Sequence, residues 1–246
     1  MARNVISQER SAPTLMNRPE FDEYSSSYQE LLKDPICDSF AGSSDFFHLR
    51  KRDLVRSYFR KRGIDSRKLR YLDVGCGKGD LAKLLTGDFA YVAGCDPSGE
   101  MLKSAQSLDA RLQHDPGKIP FDSAEFDFAT AVCVYHHVPP AERAALTAEV
   151  ARVLRPGGVF AIIEHNPRNP ATRVIVKRSP VDQNAVLLDS RESGSLLAAA
   201  GLPVEEQHYF LYFPEKIYRW LGALEELLDW FPLGGQYAVF GRRPGA

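Results

Sequence analysis

The chain has 246 residues, 44% hydrophobic and 26% charged, and its 31 Lys and Arg against 32 Asp and Glu leave a formal net charge of -1. That composition fits one large globular domain, or a domain with an appendage, able to bury a sizeable core. It offers no broad basic field, so no nucleic-acid partner is expected; and because no two of Cys37, Cys76, Cys95 and Cys133 have C-x-x-C spacing, neither a metal site nor a disulfide framework is expected.

The first 20 residues, MARNVISQERSAPTLMNRPE, lack the apolar core of a signal peptide and read as a flexible tail. No later run approaches the roughly 20 apolar residues of a membrane span, so a cytoplasmic protein without a transmembrane segment is expected. Residues 21–63 carry apolar side chains at helical spacing and predict a helical cap, two helices joined by a loop with Pro and Gly.

From residue 70 the pattern changes. Short apolar runs (RYLDVGC, AYVAGCD, ARLQHD, FDFATAVCV, GVFAIIEH) alternate with helical stretches (KGDLAKLLTG, SGEMLKSAQSLD, PPAERAALTAEVARVLRPGG). Such alternation implies βαβ units and a doubly wound, Rossmann-like, mostly parallel sheet covered on both faces. RPGG at 155–158 reads as a helix stop and a tight turn into a strand. A Pro-punctuated insertion near 166–188 follows, then a helix at 190–201, an extended run LPVEEQHYFLYF, a helix at 215–230 and a last strand near GQYAVFGRR.

The first strand runs directly into Gly75, Gly77 and Gly79, spaced G-x-G-x-G ahead of a helix. Strand, glycine turn and helix in that order bring backbone against a ligand at the carboxyl end of the sheet. A pyrophosphate turn of the G-x-G-x-x-G type would have glycine where Asp80 stands, and Asp73 just ahead of the turn suits an ammonium group better than a phosphate. Asp96, 17 residues past Gly79, is placed to accept hydrogen bonds from both hydroxyls of a ribose, a device shared by several nucleoside-binding folds.

Taken in order, LDVGCGKGD, VAGCDPSGEML, LQHDPGKIPF, FDFATAVCVYHHVP and LRPGGVFAIIEH resemble the successive motifs of class I S-adenosylmethionine-dependent methyltransferases over about residues 65–165. The resemblance implies seven strands with the last antiparallel, a methyltransferase domain over 64–246, and S-adenosylmethionine as cofactor with S-adenosylhomocysteine as product. It places Asp73, Gly75, Cys76, Gly77 and Gly79 at the methionine end and Asp96, Pro97, Ser98 and Met101 at ribose and adenine. It also puts Asp115 at the adenine amino group, with Pro116 beside it lacking a backbone N–H, and Ala131, Val132 and Cys133 along the methionine side. The implied function is methyl transfer to a small-molecule acceptor, most readily a hydroxyl. A noncatalytic binder of the same cofactor is the alternative, and an NAD-dependent oxidoreductase is a distant third.

His136 and His137, directly after the fourth strand, are candidates for a general base, with a structural or substrate-shaping role as the competing reading. Glu164, Asn166 and Arg168, beside His165 after the fifth strand, and Arg173 and Arg178 in the insertion are candidate acceptor contacts; a polar loop and a solvated helix face are the plain readings. The aromatic residues between Tyr209 and Phe231 predict core packing, with a surplus that can serve an acceptor pocket, a membrane or a second subunit.

Overall fold

The computed structural model describes residues 20–115 and 117–245. The tail expected over 1–20 falls outside them apart from Glu20, and Pro116 falls outside them too. Strands β1 (Arg70–Val74), β2 (Tyr91–Asp96), β3 (Asp109–Leu112), β4 (Phe126–Val132), β5 (Leu154–His165), β6 (Val204–Phe210) and β7 (Gln236–Arg242) form one sheet in the order β3-β2-β1-β4-β5-β7-β6. Every pair is parallel except those of β7, which runs antiparallel to both β5 and β6. The strand order reverses between β1 and β4, so the carboxyl ends of β1, β2, β4 and β5 share one edge on either side of a topological switch point.

Alternate residues of the central strands feed two cores. Leu72, Val74, Ala129, Ala131 and Ile162 pack on one face, while Tyr71, Phe128, Ala161 and Ile163 pack on the other. Helices α5 (Asp80–Leu84), α6 (Gly99–Leu102), α7 (Arg143–Val153), α8 (Pro170–Arg178), α9 (Ser190–Ala199) and α10 (Glu215–Leu228) complete the domain. Helix α6 is much shorter than the periodicity of SGEMLKSAQSLD predicts: beyond Leu102 the chain turns through Ser104 N–H to Met101 O and Ala105 N–H to Leu102 O contacts. The RPGG segment lies inside β5, which starts at Leu154. Its residues bulge between the pairs Phe126–Leu154 and Phe128–Val159, with Gly157 at a φ of 81°.

The expected two-helix cap is four helices among the described residues: α1 (Glu20–Tyr24), α2 (Tyr28–Leu31), α3 (Pro35–Phe40) and α4 (Asp45–Lys61). Ser25–Ser27 interrupts the first periodic stretch, and Asp34 caps α3 by accepting from Ile36 N at 2.8 Å with Pro35 at the first helical position. Helix α4 is clamped to the sheet by aromatic contacts, Tyr58 stacking on Phe240 at 4.6 Å and Phe59 meeting Phe128 edge-on at 5.1 Å. Tyr209 and Phe210 are core residues, whereas Trp220 and Trp230 of the same aromatic run are 87% and 72% exposed. None of the described helices is long and apolar enough to cross a membrane.

The loop from β4 to α7 carries both candidate histidines and is fixed by one buried side chain. Arg143 Nε donates to the carbonyls of Tyr135 and Val138 at 3.0 and 3.1 Å, and its guanidinium reaches Glu192 at 2.6 Å and the Val186 carbonyl of the insertion. The expected consequence of Arg143→Met is a loss of about 3 kcal/mol of stability or more, since several charge-assisted hydrogen bonds go together; urea unfolding measures it.

Candidate active site

Gly75, Gly77 and Gly79 all have positive φ (67°, 53° and 76°), a region that L side chains rarely occupy. Their surroundings differ. A Cβ on Gly75 would lie 2.5 Å from Val134 Cγ2, and one on Gly79 would lie 2.9 Å from Leu108 Cδ1, so these two are bare for packing as well as for conformation. Nothing lies within 4 Å of the position a Gly77 Cβ would take, and its N–H donates to Asp96 Oδ2 at 2.8 Å. Gly77 is thus the member of the turn whose bareness opens space.

That space belongs to a cavity of about 2160 Å³ along the carboxyl edge of the sheet, bounded on its far side by α1 to α4 and α8. Asp73, Cys76, Asp96, Pro97, Met101, Asp115, Val132 and Cys133 line it. Gly79, Ser98 and Ala131 do not: Gly79 packs against Leu108 and Ala105, Ser98 caps α6 through Met101 N at 3.1 Å and donates to Asp22 Oδ1 at 2.6 Å, and Ala131 is wholly buried in the sheet. Asp115 accepts from Gly117 N at 2.8 Å, closing its own turn.

The two strand-end carboxylates are differently provided for. Asp96 accepts from Gly77 N and Ser98 N, both at 2.8 Å; burial raises its pKa, and the nearby Asp22 charge adds to the rise. Asp73 accepts from Thr130 Oγ1 at 2.8 Å, and Tyr71 shares a hydrogen bond with the same threonine. Burial lifts Asp73 from 3.8 to about 7, a rise that those hydroxyls only partly offset. Lys51 of α4 is 5% exposed and lines the same cavity, and its charge favours ionised Asp73 and Cys133 while disfavouring protonated His165.

The short helices of the cap lie across this end of the sheet. Asp22 of α1 takes the Ser98 hydroxyl and the Glu100 N–H, Phe21 meets His137 edge-on at 4.8 Å, and Lys78 sits 5.8 Å from the Tyr28 ring.

The histidines take unequal positions. His136 is 2% exposed, with Nδ1 at 2.6 Å from Glu164 Oε2 and Nε2 at 3.3 Å from Asp182 Oδ1. Burial opposes its charge, yet the two carboxylates raise its pKa well above the ordinary histidine range, so this ring stands behind the cavity wall as a clamped cation and not as an open base. His137 does line the cavity, with Nε2 at 3.3 Å from the same Asp182 oxygen. Burial opposes the Asp182 charge, but hydrogen bonds from both rings hold its carboxyl far below the usual range. His165 lines the cavity too; burial, and then the His136 charge, push its pKa down to about 4, which leaves it neutral near pH 7.

Four of the expected acceptor contacts are displaced by packing. Glu164 is wholly buried, accepting from Tyr135 N, His136 and His165 N. Asn166 donates to the carbonyls of Pro232 and Gly234 and ties β5 to the loop before β7. Arg168 pairs with Asp189 at 3.2 Å away from the cavity, and Arg173 is solvent-exposed on α8. Only Arg178 of the set lines the cavity. Glu164 and Asn166 stand at the end of β5, where nearby backbone groups needed partners, a demand that composition alone does not reveal, whereas Arg168 and Arg173 are exposed.

A family profile described as a methyltransferase domain matches residues 72–162. A ubiquinone biosynthesis O-methyltransferase from Thiobacillus denitrificans is 31% identical over 182 residues, covering 65% of this chain and 78% of the relative. A methyltransferase from Synechocystis is 30% identical over 147 residues, covering 56% of this chain and 69% of the relative. The chain belongs to the class I S-adenosylmethionine-dependent methyltransferases. Its fold matches the solved magnesium protoporphyrin IX methyltransferase of Synechocystis with bound S-adenosylhomocysteine at a TM-score of 0.64, with 16% identity, 92% of this chain and 97% of that chain. S-adenosylmethionine is therefore the cofactor, and the protein is an enzyme.

The cavity fits that cofactor on its own evidence. An amino acid end needs an anion for its ammonium and a cation for its carboxylate, and this methyltransferase buries Asp73 and Lys51 in the lining of the one cavity onto which Gly77 opens. Lys51 and Asp182 were missed in the sequence. Lys51 carried a legible signal: Phe47, Lys51, Val55 and Phe59 follow one another at i+4 on α4, a basic residue set within an apolar stripe. Asp182 carried none, because the insertion brings it to the histidines across 46 residues.

Because Asp73 holds its proton to a higher pH when folded than when unfolded, ligand-free stability falls as pH rises from about 4 to about 7 through this group. Asp73→Asn should be more stable than the native protein at pH 8 by about 1–3 kcal/mol, with the difference fading at pH 4, and should bind S-adenosylhomocysteine more weakly. Thermal melts at the two pH values check this, and equal melts at pH 8 contradict it.

Proposed function

We propose that this methyltransferase transfers a methyl group to a hydroxyl of a small, largely apolar acceptor. The observation that carries the reading is that one cavity joins the Asp73, Gly77 and Asp96 end to a wall where His137 and Asp182 stand together. Asp73 would receive the cofactor's ammonium, Lys51 its carboxylate and Asp96 its ribose hydroxyls, with Met101 and Asp115 toward the adenine. Bound there, the cofactor supplies an electrophilic methyl group on a positively charged sulfur.

The chain's remaining task is to hold the acceptor oxygen in line and to manage its proton. His137 and Asp182 are the polar pair at the wall beyond Cys133, and neutral His165 stands beside them. Leu31, Ile36, Phe40 and Phe47 of the cap and Ile175 of α8 give the same cavity an apolar lining suited to a ring or chain. Arg178 at its border suits an acceptor that also carries an anionic group. The quinone chemistry in the name of the relative from Thiobacillus denitrificans agrees with an acceptor of this kind.

Two sets of outcomes test the reading. Asp96→Ala and Lys51→Met should each weaken S-adenosylhomocysteine binding by about 1.5–3 kcal/mol in calorimetry, the usual loss for a charge-assisted hydrogen bond. In an acceptor panel of phenols, quinols, carboxylates and amines assayed by S-adenosylhomocysteine release, a hydroxylated acceptor should be the one methylated. With it, His137→Ala should lower kcat by about 100-fold or more. Methylation confined to amines, or an undiminished kcat in His137→Ala, would sink the proposal.

A further inference from the structure

His136, His137 and Asp182 do more than a pair of hydrogen bonds requires. The Nε2 atoms of both rings converge on one carboxylate oxygen, each at 3.3 Å, and the three donor atoms lie within 4.8 Å of one another. Donors about 2.0–2.1 Å from a tetrahedral zinc ion stand about 3.3–3.5 Å apart, a spacing that each ring's Nε2 already keeps to the Asp182 oxygen, so an ion is enclosed once the two rings close on each other. We propose that these three side chains form a divalent-cation site of the zinc type, with its open coordination position facing the cavity.

The support around the three ligands matches what a metal centre needs. His136 presents Nε2 because Nδ1 is engaged by Glu164 at 2.6 Å, the carboxylate–histidine–metal arrangement that fixes tautomer and ring orientation. Glu164 is itself fixed by the Tyr135 N–H at 2.7 Å, and the insertion that brings Asp182 is tied to the ligand loop by Val186 N–H on the His136 carbonyl at 2.8 Å. His136 lies behind the wall while His137 and Asp182 line the cavity. Three ligands therefore come from the protein side and a fourth position is left to water or an oxygen ligand. The charges agree as well: two carboxylates, Glu164 and Asp182, face two imidazoles, and a divalent cation that displaces the His136 Nε2 proton to water balances both carboxylates while leaving both rings neutral.

The use of such an ion rests on the O-methylation reading above: an acceptor hydroxyl in the fourth position would give up its proton to water more readily. Binding of the ion does not rest on that reading. The test is calorimetric titration of chelator-treated protein with Zn2+, alongside a separate titration with S-adenosylhomocysteine. One Zn2+ per chain is expected, weakened at least tenfold in His137→Gln and Asp182→Asn and about 10–100-fold in Glu164→Gln. Wild-type protein that binds S-adenosylhomocysteine but takes up no Zn2+ overturns the cation site and leaves the methyl-transfer reading standing; Zn2+ uptake without S-adenosylhomocysteine binding does the reverse. Uptake unchanged in both ligand variants also overturns the site. Because a variant can fail to fold, Co2+-loaded wild type supplies an independent readout. Visible bands without thiolate charge transfer are expected, and thiolate bands would assign the ion to a cysteine instead.

Discussion

Burial of carboxylates at the carboxyl edge of the sheet is the constraint on which this molecule turns. Asp73, Asp96, Glu164 and Asp182 are all largely or wholly removed from solvent, and an ionised carboxylate there requires compensation that water cannot give. Glu164 is surrounded by donors and held below its ordinary pKa even though burial pushes the other way; His136 is the main reason. Asp73 has the Thr130 and Tyr71 hydroxyls and the Lys51 charge, and burial wins, lifting it to about 7. The two residues belong to the same edge and the same chemistry. What separates scaffold from ligand site is whether the protein itself completes the charge.

The cap is organised around the same demand. Lys51 is buried on α4 only because Tyr58 and Phe59, two turns further along, lock that helix against Phe240 and Phe128. A lysine carried on a mobile segment would stay in water, where its hydration is strongest. The aromatic clamp thus holds a buried positive charge on the side of the cavity that α4 supplies. Arg143 performs the equivalent task on the opposite side. By holding the Tyr135 and Val138 carbonyls it shapes the loop that presents His137 to the cavity while keeping His136 behind it.

The parts of this arrangement that were legible in the sequence are those whose cause is local. The glycine turn, Asp73 and Asp96 stand at fixed distances from strands whose apolar runs announce themselves, so the sheet, its order of motifs and the cofactor end could be read from residues 70–133. His136 and His137 could be found but not told apart, since both rings reach the same Asp182 oxygen and the difference is made by Glu164, which engages His136 alone. Glu164, Asn166 and Arg168 looked functional because polar residues clustered at a strand end. Their hydrogen bonds go instead to Tyr135, the Pro232–Gly234 loop and Asp189, partners 21 to 68 residues away. The single helix read over 98–109 failed for a related reason: Ala105 and Leu108 turn back to pack against Gly79, and the chain gives up helical hydrogen bonds to fill the space beside the glycine turn.

Asp22 adds a last constraint on how the cavity is used. It reaches from α1 to the Ser98 hydroxyl, next to Asp96, and its charge raises the Asp96 pKa beyond what burial does alone. Two carboxylates converging at one point repel each other, and the ligand-free enzyme bears that repulsion while α1 stays docked. A ligand presenting two hydroxyls at that point brings donors where the chain has placed acceptors, so it relieves the charge conflict at the moment it binds. The link between α1 and this strand end is electrostatic and runs through two named side chains, Asp22 and Asp96.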